Sequence, residues 1–241
     1  MAFDLPKKVV FPVETVDVRL DPGPHPFETA HGAEIDQNWL HEKAANPTIF
    51  DGQVVLLAGL GRSGRSLTGC CHAIRFATFL YWRRKSDHVG TGHAYAHAAL
   101  VTRDNALVAI RMAKTTSNPG QVYFAAGSFE PGDFHDGQVD LHHNMAREVR
   151  EETGININGL RRDRLDHAFS DNIGTVLFRR YYLAEDAETV AARVRAFVAG
   201  DPEPEIEEPV IIRRPDDLPQ GLKAHMSAII DWHFLESPPF P

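Results

Sequence analysis

Cysteine is scarce in this chain of 241 residues, and the two present, Cys70 and Cys71, are adjacent. Neighbouring thiols cannot build a disulfide framework, so a reducing, cytoplasmic setting is expected. Positive charge is also short: 25 Lys and Arg stand against 33 Asp and Glu, a net charge of −8. That balance lacks the basic footprint of a nonspecific nucleic-acid binder, so no nucleic-acid partner is expected. No apolar run approaches the roughly 18 residues of a membrane helix. The opening residues MAFDLPKKVVFPVE hold no continuous apolar stretch of the kind a secretion signal needs, so no membrane partner is expected either. Low-complexity tracts and internal repeats are missing too. With 43% hydrophobic and 24% charged residues, the composition excludes a disordered chain.

What is present is an alternation of strand and helix signals. VDVRL (16–20) alternates as an early strand, and Glu34 to Asn46 reads as a helix around Ile35, Leu40 and Ala44–Ala45, stopped by Asn46-Pro47. GQVVLLAGL (52–60) and RSLTGCCHAI (65–74) read as a hairpin, followed by a short buried helix over 75–84. The polar loop KSDHVGTG (85–92) marks a boundary between an N-terminal extension, 1–90, and a second region, 91–241. In that second region HAYAHAALVT and ALVAIRM form a hairpin, and QVYFAAG (121–127) is a further strand ending at Gly127. After a loop, Leu141 to Glu152 is a helix with Asp140 as N-cap and Gly154 as left-handed C-cap. Strands follow near 163–169 and 174–183, then an amphipathic helix over 186–199, an acidic loop DPEPEIEEP, a strand VIIRR and a last helix. Residues 1–90 carry Trp39, Phe50, Leu56, Leu57, Phe76, Phe79, Leu80, Tyr81 and Trp82, too many large apolar groups for a free tail. They are expected to pack on the second region and to wall its substrate cleft; a homodimer contact is the alternative use of such a surface.

The chemistry concentrates in Arg147-Glu148-Val149-Arg150-Glu151-Glu152-Thr153-Gly154-Ile155. On a helix, Glu148 lies i,i+3 from Glu151 and i,i+4 from Glu152, so the three carboxylates share one face. Leu141, Met145 and Val149 form the adjoining core stripe. Three carboxylates at that spacing repel, and a hard divalent cation with oxygen ligands relieves the repulsion. A merely solvated acidic face is the bland alternative.

REVREETGI resembles the second half of the Nudix box, G-x5-E-x7-R-E-U-x-E-E-x-G-U with U aliphatic, and satisfies each of its fixed positions from Arg147 to Ile155. The resemblance implies a Nudix α/β/α sandwich with a mixed sheet and metal-dependent hydrolysis of a nucleoside diphosphate linked to another moiety. It implies Glu148, Glu151 and Glu152 as ligands of Mg²⁺ or Mn²⁺, and Arg147 as the group that orients one of them. Glu151 is its candidate general base, with Glu205, Glu207 and Glu208 of the acidic loop as others. The first half of the box departs from the pattern. Its Gly and Glu positions hold Asp133 and Val139, and Glu130, Asp133 or Asp136 could each replace the missing carboxylate. GQVYFAAGSFEPGD is similar to the stretch before the box in coenzyme A-hydrolysing members, whereas the longer run from HVGTGHAYAHAALVT to AAGSFEPGD is similar to those that hydrolyse UDP-glucose. The expected partner is thus a small nucleotide, with a nucleotide sugar ahead of coenzyme A. A Nudix fold that binds a ligand without chemistry is the rival from another class.

Other signals weigh less. Gly59-Leu60-Gly61-Arg62-Ser63-Gly64 spells a dinucleotide motif, but no helix pattern follows it, so a hairpin turn is expected. His93 and His97 share a strand face yet lack further metal ligands. His142 and His143 read as solvated helix residues, and Cys70-Cys71 as small core residues.

Overall fold

The computed structural model describes residues 3–172 and 174–236. Strand β1 (Val10–Val13) and strand β2 (Thr15–Asp21) open the chain, followed by helices α1 (Pro26–Ala30) and α2 (Gly32–Ala45). The long hairpin of β3 (Gln53–Ser63) and β4 (Ser66–Arg75) turns at Gly64, whose φ of 59° is left-handed; the G-x-G-x-x-G sequence is thus strand and turn. Helix α3 (Phe76–Arg84) follows it directly. The run VVLL in β3 is apolar on both faces because it lies between two cores. Val54 and Leu56 meet Ile74, Phe79 and Trp82 under α3, while Val55 and Leu57 join the main core.

The remaining elements are β5 (Ala94–Val101), β6 (Leu107–Met112), β7 (Val122–Tyr123), the short hairpin β8 (Phe134–His135) and β9 (Gln138–Val139), and helix α4 (Leu141–Thr153). Then come β10 (Arg161–Arg162), β11 (Asp166–Ser170), β12 (Thr175–Tyr182), α5 (Ala187–Gly200), β13 (Ile206–Ile212) and α6 (Ala224–Asp231). The larger sheet runs β1-β11-β12-β5-β6-β13, with β10 also on β12 and β7 on β6. Strands β12 and β5 are parallel and the other pairs of this sheet antiparallel, so the sheet is mixed. The smaller sheet runs β3-β4-β2-β9-β8. Each sheet therefore draws strands from both sides of residue 90.

Helices cover both faces of the larger sheet. Tyr181 of β12 donates its hydroxyl to Met145 Sδ of α4 (3.6 Å), whereas Phe178, three residues earlier, packs edge-on against Trp232 just after α6 (5.1 Å between centroids). An odd separation along a strand places side chains on opposite faces, so α4 and α6 lie in opposite layers of an α/β/α sandwich. The α/β class and the layering implied by the resemblance are what the chain adopts. No helix among the described residues is long and apolar enough to cross a membrane.

Several local expectations differ. The strand expected over 121–127 ends at Tyr123, because the backbone beyond it turns to other partners: Ala126 N–H donates to a Glu152 carboxylate (3.0 Å) and the Phe129 carbonyl accepts from Val55 (2.9 Å). The acidic loop is shorter than read, since Ile206, Glu207 and Glu208 belong to β13, paired with β6 across a bulge. In α2, Ile35 is buried but Leu40 is not, and Phe50 is also exposed, so these two do not help to pack the extension. His142 is half-buried rather than solvated: its ring stacks on Tyr181 and its Nδ1 meets the Tyr181 hydroxyl at 2.8 Å.

Candidate active site

Helix α4 is a stiff support because both its ends are closed. Asp140 Oδ1 accepts from His143 N–H (2.9 Å) at the start, and Gly154 ends it at a φ of 69°. A Cβ on Gly154 would also overlap the Phe197 ring of α5. Leu141, Met145 and Val149 are buried in the main core, which turns Glu148 and Glu152 toward the backbone of residues 126–127.

Those two glutamates are buried, at 8% and 4% exposure, whereas Glu151 is exposed. Charged carboxylates are rarely buried without compensation, so each needs a partner. Glu152 accepts the Ala126 N–H. Glu148 lies 2.7 Å from Arg147 Nη1, which also reaches Glu151 Oε2 at 3.2 Å. The Glu148 carboxylate rests against Gly127, where any added Cβ would occupy the space of its oxygens. Glycine at 127 thus permits a close approach that no other residue allows. The compensation is incomplete. Burial, only partly offset by Arg147, raises Glu148 to about 8, with the charge of Glu151 adding to the rise. Burial and then Glu148 push Glu152 well above the ordinary carboxylate range.

Of the three acids open as replacements for the missing box carboxylate, Asp133 is the one that meets Arg147. It is 1% exposed, and its Oδ2 lies 3.2 Å from Arg147 Nη2. The same oxygen accepts from Asn144 Nδ2 (2.9 Å) and Glu130 N–H (2.9 Å). A short 3₁₀ turn over Pro131–Asp133 delivers it, with Glu130 and Asp133 capping each other. Val139, at the pattern's Glu position, is buried in the core, and Asp136 is an exposed turn residue at φ 50°. Arg147 is therefore shared by Asp133, Glu148 and Glu151. Burial opposes its charge, but Glu148 and Asp133 outweigh that and hold it above its ordinary value.

Of the acidic-loop candidates, Glu205 stands nearest: its carboxyl is raised by desolvation and by Glu151, although its side chain reaches solvent, and its charge also raises Glu152. Glu208 instead pairs with Arg111 (3.0 Å) across β13 and β6.

The donor set suits a hard cation: three carboxylates, two of them buried and raised first by desolvation, Glu152 also by the charge of Glu148, beside a glycine that leaves room at the Glu148 oxygens. Among the described residues, no three Asp, Glu, His or Cys side chains are already gathered as a metal cluster. Glu148, held by Arg147, and Glu152, held by Ala126 N–H, are the groups that would carry the ion, with Glu151 beside them.

A second buried network lies on the opposite face of β5; it includes His97, which by sequence is an ordinary polar or core histidine, and His225, which no sequence signal marks. His97 is bonded to the Phe124 carbonyl (3.0 Å) and to His225 Nε2 (3.0 Å), and His225 Nδ1 meets the Tyr95 hydroxyl (3.2 Å). Burial drives His97 well below its ordinary value and His225 to about 4, so both are neutral core groups. His225 is 128 residues from His97, a pairing that no sequence spacing announces.

No protein-family model and no curated protein matches this sequence. Among solved structures, the chain is similar to the MutT protein from Methanosarcina mazei Go1, at 17% identity and a TM-score of 0.39 over 58% of this chain and 90% of that one. It is also similar to DR0079 from Deinococcus radiodurans, at 13% identity and a TM-score of 0.44 over 74% of this chain and 97% of that one.

Proposed function

We propose that the protein is a metal-dependent pyrophosphohydrolase of Nudix type that cleaves a nucleoside diphosphate linked to another moiety. The observation that carries this reading is the under-compensated pair Glu148 and Glu152, buried on a rigid helix against residues 126–127, with Glu148 sharing its arginine with Asp133 and Glu151, and Glu152 held by a single N–H. Purely structural carboxylates have no reason to be collected in this way, since each added charge raises the cost of the others. The complete Arg147–Ile155 motif supports it from the sequence side.

A bound Mg²⁺ or Mn²⁺ would neutralise the diphosphate oxygens and lower the barrier to attack by water. Glu148 and Glu152 would hold that ion. Asp133 acts in place of the missing box carboxylate: it fixes the Arg147 guanidinium, and Arg147 in turn orients Glu148 and Glu151. Glu151, exposed and beside the buried pair, takes the proton of the attacking water; Glu205 is the second candidate. The favoured substrate is a nucleotide sugar such as UDP-glucose, on the resemblance of the 88–133 run, with coenzyme A as the alternative.

A product-release screen over nucleotide sugars, coenzyme A and dinucleotides, with and without Mg²⁺, tests the reading. Metal-dependent turnover that falls at least about a hundredfold in Glu151→Gln or Glu152→Gln is expected, given the several kcal/mol a catalytic metal contributes. Near-wild-type turnover in both variants overturns the site. Ligand-induced stabilisation without turnover of any substrate supports the binding module instead.

A further inference from the structure

On the face of the larger sheet away from α4, two cations far apart in sequence, Arg83 and Lys223, border one segment. Arg83 lies in the last turn of α3, and Lys223 is the residue before α6. Arg83 Nη2 donates to Asn118 Oδ1 (3.4 Å), and Asn118 Nδ2 donates to the Tyr123 hydroxyl (3.4 Å). The Arg83 guanidinium also sits 5.7 Å from the centre of the Phe79 ring, which packs on His93 at 4.6 Å. Lys223 is tied to the same strand by its N–H, which donates to the Val122 carbonyl (3.1 Å). His93 Nε2 is 2.9 Å from Ser128 Oγ, and Ser128 directly follows the glycine on which Glu148 rests. Segment 122–128 therefore has Arg83, Lys223 and His93 along one border and the Glu148–Glu152 pair along the other.

Among the described residues, neither Arg83 nor Lys223 has a carboxylate partner. The half-buried Lys223 ammonium is driven below its ordinary value by burial and then by Arg83. His93 is lowered to about 3, by burial first and then by the same two cations, so it adds no charge. Asp171, the acid on this face, acts on Tyr95 and His225. Helix α6 starts without a side-chain cap, so the helix start beside Lys223 also favours negative charge. Two like charges beside one strand, Arg83 exposed and Lys223 half-buried, repel, and an anion bound between them would remove the repulsion.

We propose that Arg83 and Lys223 form an anion subsite that binds a phosphoryl group of the substrate, across Ser128 from Glu148 and Glu152. The guanidinium offers a planar pair of donors and the ammonium a compact charge, a combination suited to a tetrahedral dianion. The subsite would make the N-terminal extension part of substrate recognition. That the anion belongs to a substrate rests on the hydrolase reading; that an anion binds here does not. The phosphoryl group is either part of the scissile diphosphate or a separate phosphate ester on the substrate.

Inorganic pyrophosphate, titrated into the full chain in the presence of EDTA and followed by calorimetry and melting temperature, tests the subsite without metal or turnover. Wild type and Glu152→Gln should both bind. Arg83→Gln and Lys223→Gln should each weaken Kd by about tenfold or more, as expected for loss of a charge-assisted hydrogen bond. With a substrate found by the screen, the same two variants should raise KM more than they lower kcat. Coenzyme A compared with its 3′-dephospho form separates the two sources: a penalty in Lys223→Gln that vanishes with the dephospho form assigns the separate ester, and an equal penalty assigns the diphosphate. Absence of pyrophosphate binding by the wild type overturns the subsite, as does undiminished binding by the Arg83→Gln/Lys223→Gln double variant. Binding in EDTA with no hydrolysis of any substrate leaves the subsite standing and removes the hydrolase reading.

Discussion

Two arginine clusters flank helix α4, and they differ in balance. Near the start of the helix, Arg179 and Asp166 form a closed pair: Nε to Oδ1 at 2.7 Å and Nη2 to Oδ2 at 2.5 Å, one cation on one anion, side by side in fork geometry. Burial raises Asp166, but its hydrogen bond and charge contact with Arg179 oppose the rise. Toward the end of the helix, Arg147 faces Asp133, Glu148 and Glu151, with Glu152 beyond its reach. The first cluster is saturated, so it can hold strands and little else. The second carries surplus negative charge on buried groups, which stabilises nothing by itself and calls for a further cation. Their difference separates an ion pair that closes on itself from a cluster whose charge is left uncompensated.

The largest expected effect tests the structural side. Asp166→Ala leaves Arg179 partly buried and unpaired, which should cost about 3 kcal/mol of unfolding free energy by denaturant titration. Metal-dependent turnover of the folded protein should be little changed; a stability loss under about 1 kcal/mol would make the pair no more than a surface contact. At the other cluster the order should invert. Gly127→Ala displaces the flexible end of Glu148, not the backbone, so turnover should drop about a hundredfold while stability falls by less than about 1 kcal/mol. Equal losses in both quantities would mean that Gly127 serves packing alone.

Asp133→Asn keeps the shape of the clasp on Arg147 but removes its charge. Turnover should fall by about tenfold, through misplacement of Glu148 and Glu151, with KM changed less than kcat. Unaltered kinetics would show that Asp133 merely closes its turn. In the metal-free protein, Glu152→Gln relieves repulsion and should raise stability by about 1 kcal/mol at alkaline pH, while removing most of the Mg²⁺-induced rise in melting temperature. An unchanged Mg²⁺ response places the ion elsewhere.

A pH slope reads the same buried pair. The folded value of Glu148 is about 8 against an ordinary 4.5, and Glu152 is also raised, so between those limits the folded state holds more protons than the unfolded one. Stability in EDTA should be highest below the lower limit and decline as pH rises toward the upper, by at most about 1.4 kcal/mol per pH unit for each group. Glu148→Gln should flatten the decline. A stability that instead rises across this window would mean that Arg147 compensates the carboxylates fully.

Local patterns alone determined a large part of this protein. The spacing of Glu148, Glu151 and Glu152, the caps Asp140 and Gly154, and the hairpin at Gly64 follow from residues a few positions apart, because helix and turn geometry is short-range. The α/β order of elements follows from the same kind of evidence. The tertiary structure decided which acid meets Arg147, since Asp133 is 14 residues away and arrives on a 3₁₀ turn with no periodic signature. It decided that QVYFAAG leaves the sheet after Tyr123, because the Ala126 N–H is taken by a glutamate 26 residues later. It also brought His225 of α6 to His97 of β5, and Lys223, just before α6, to β7, which Arg83 of α3 borders. Such pairings depend on which surfaces bury one another, and that is a property of the packed chain that no window of sequence contains.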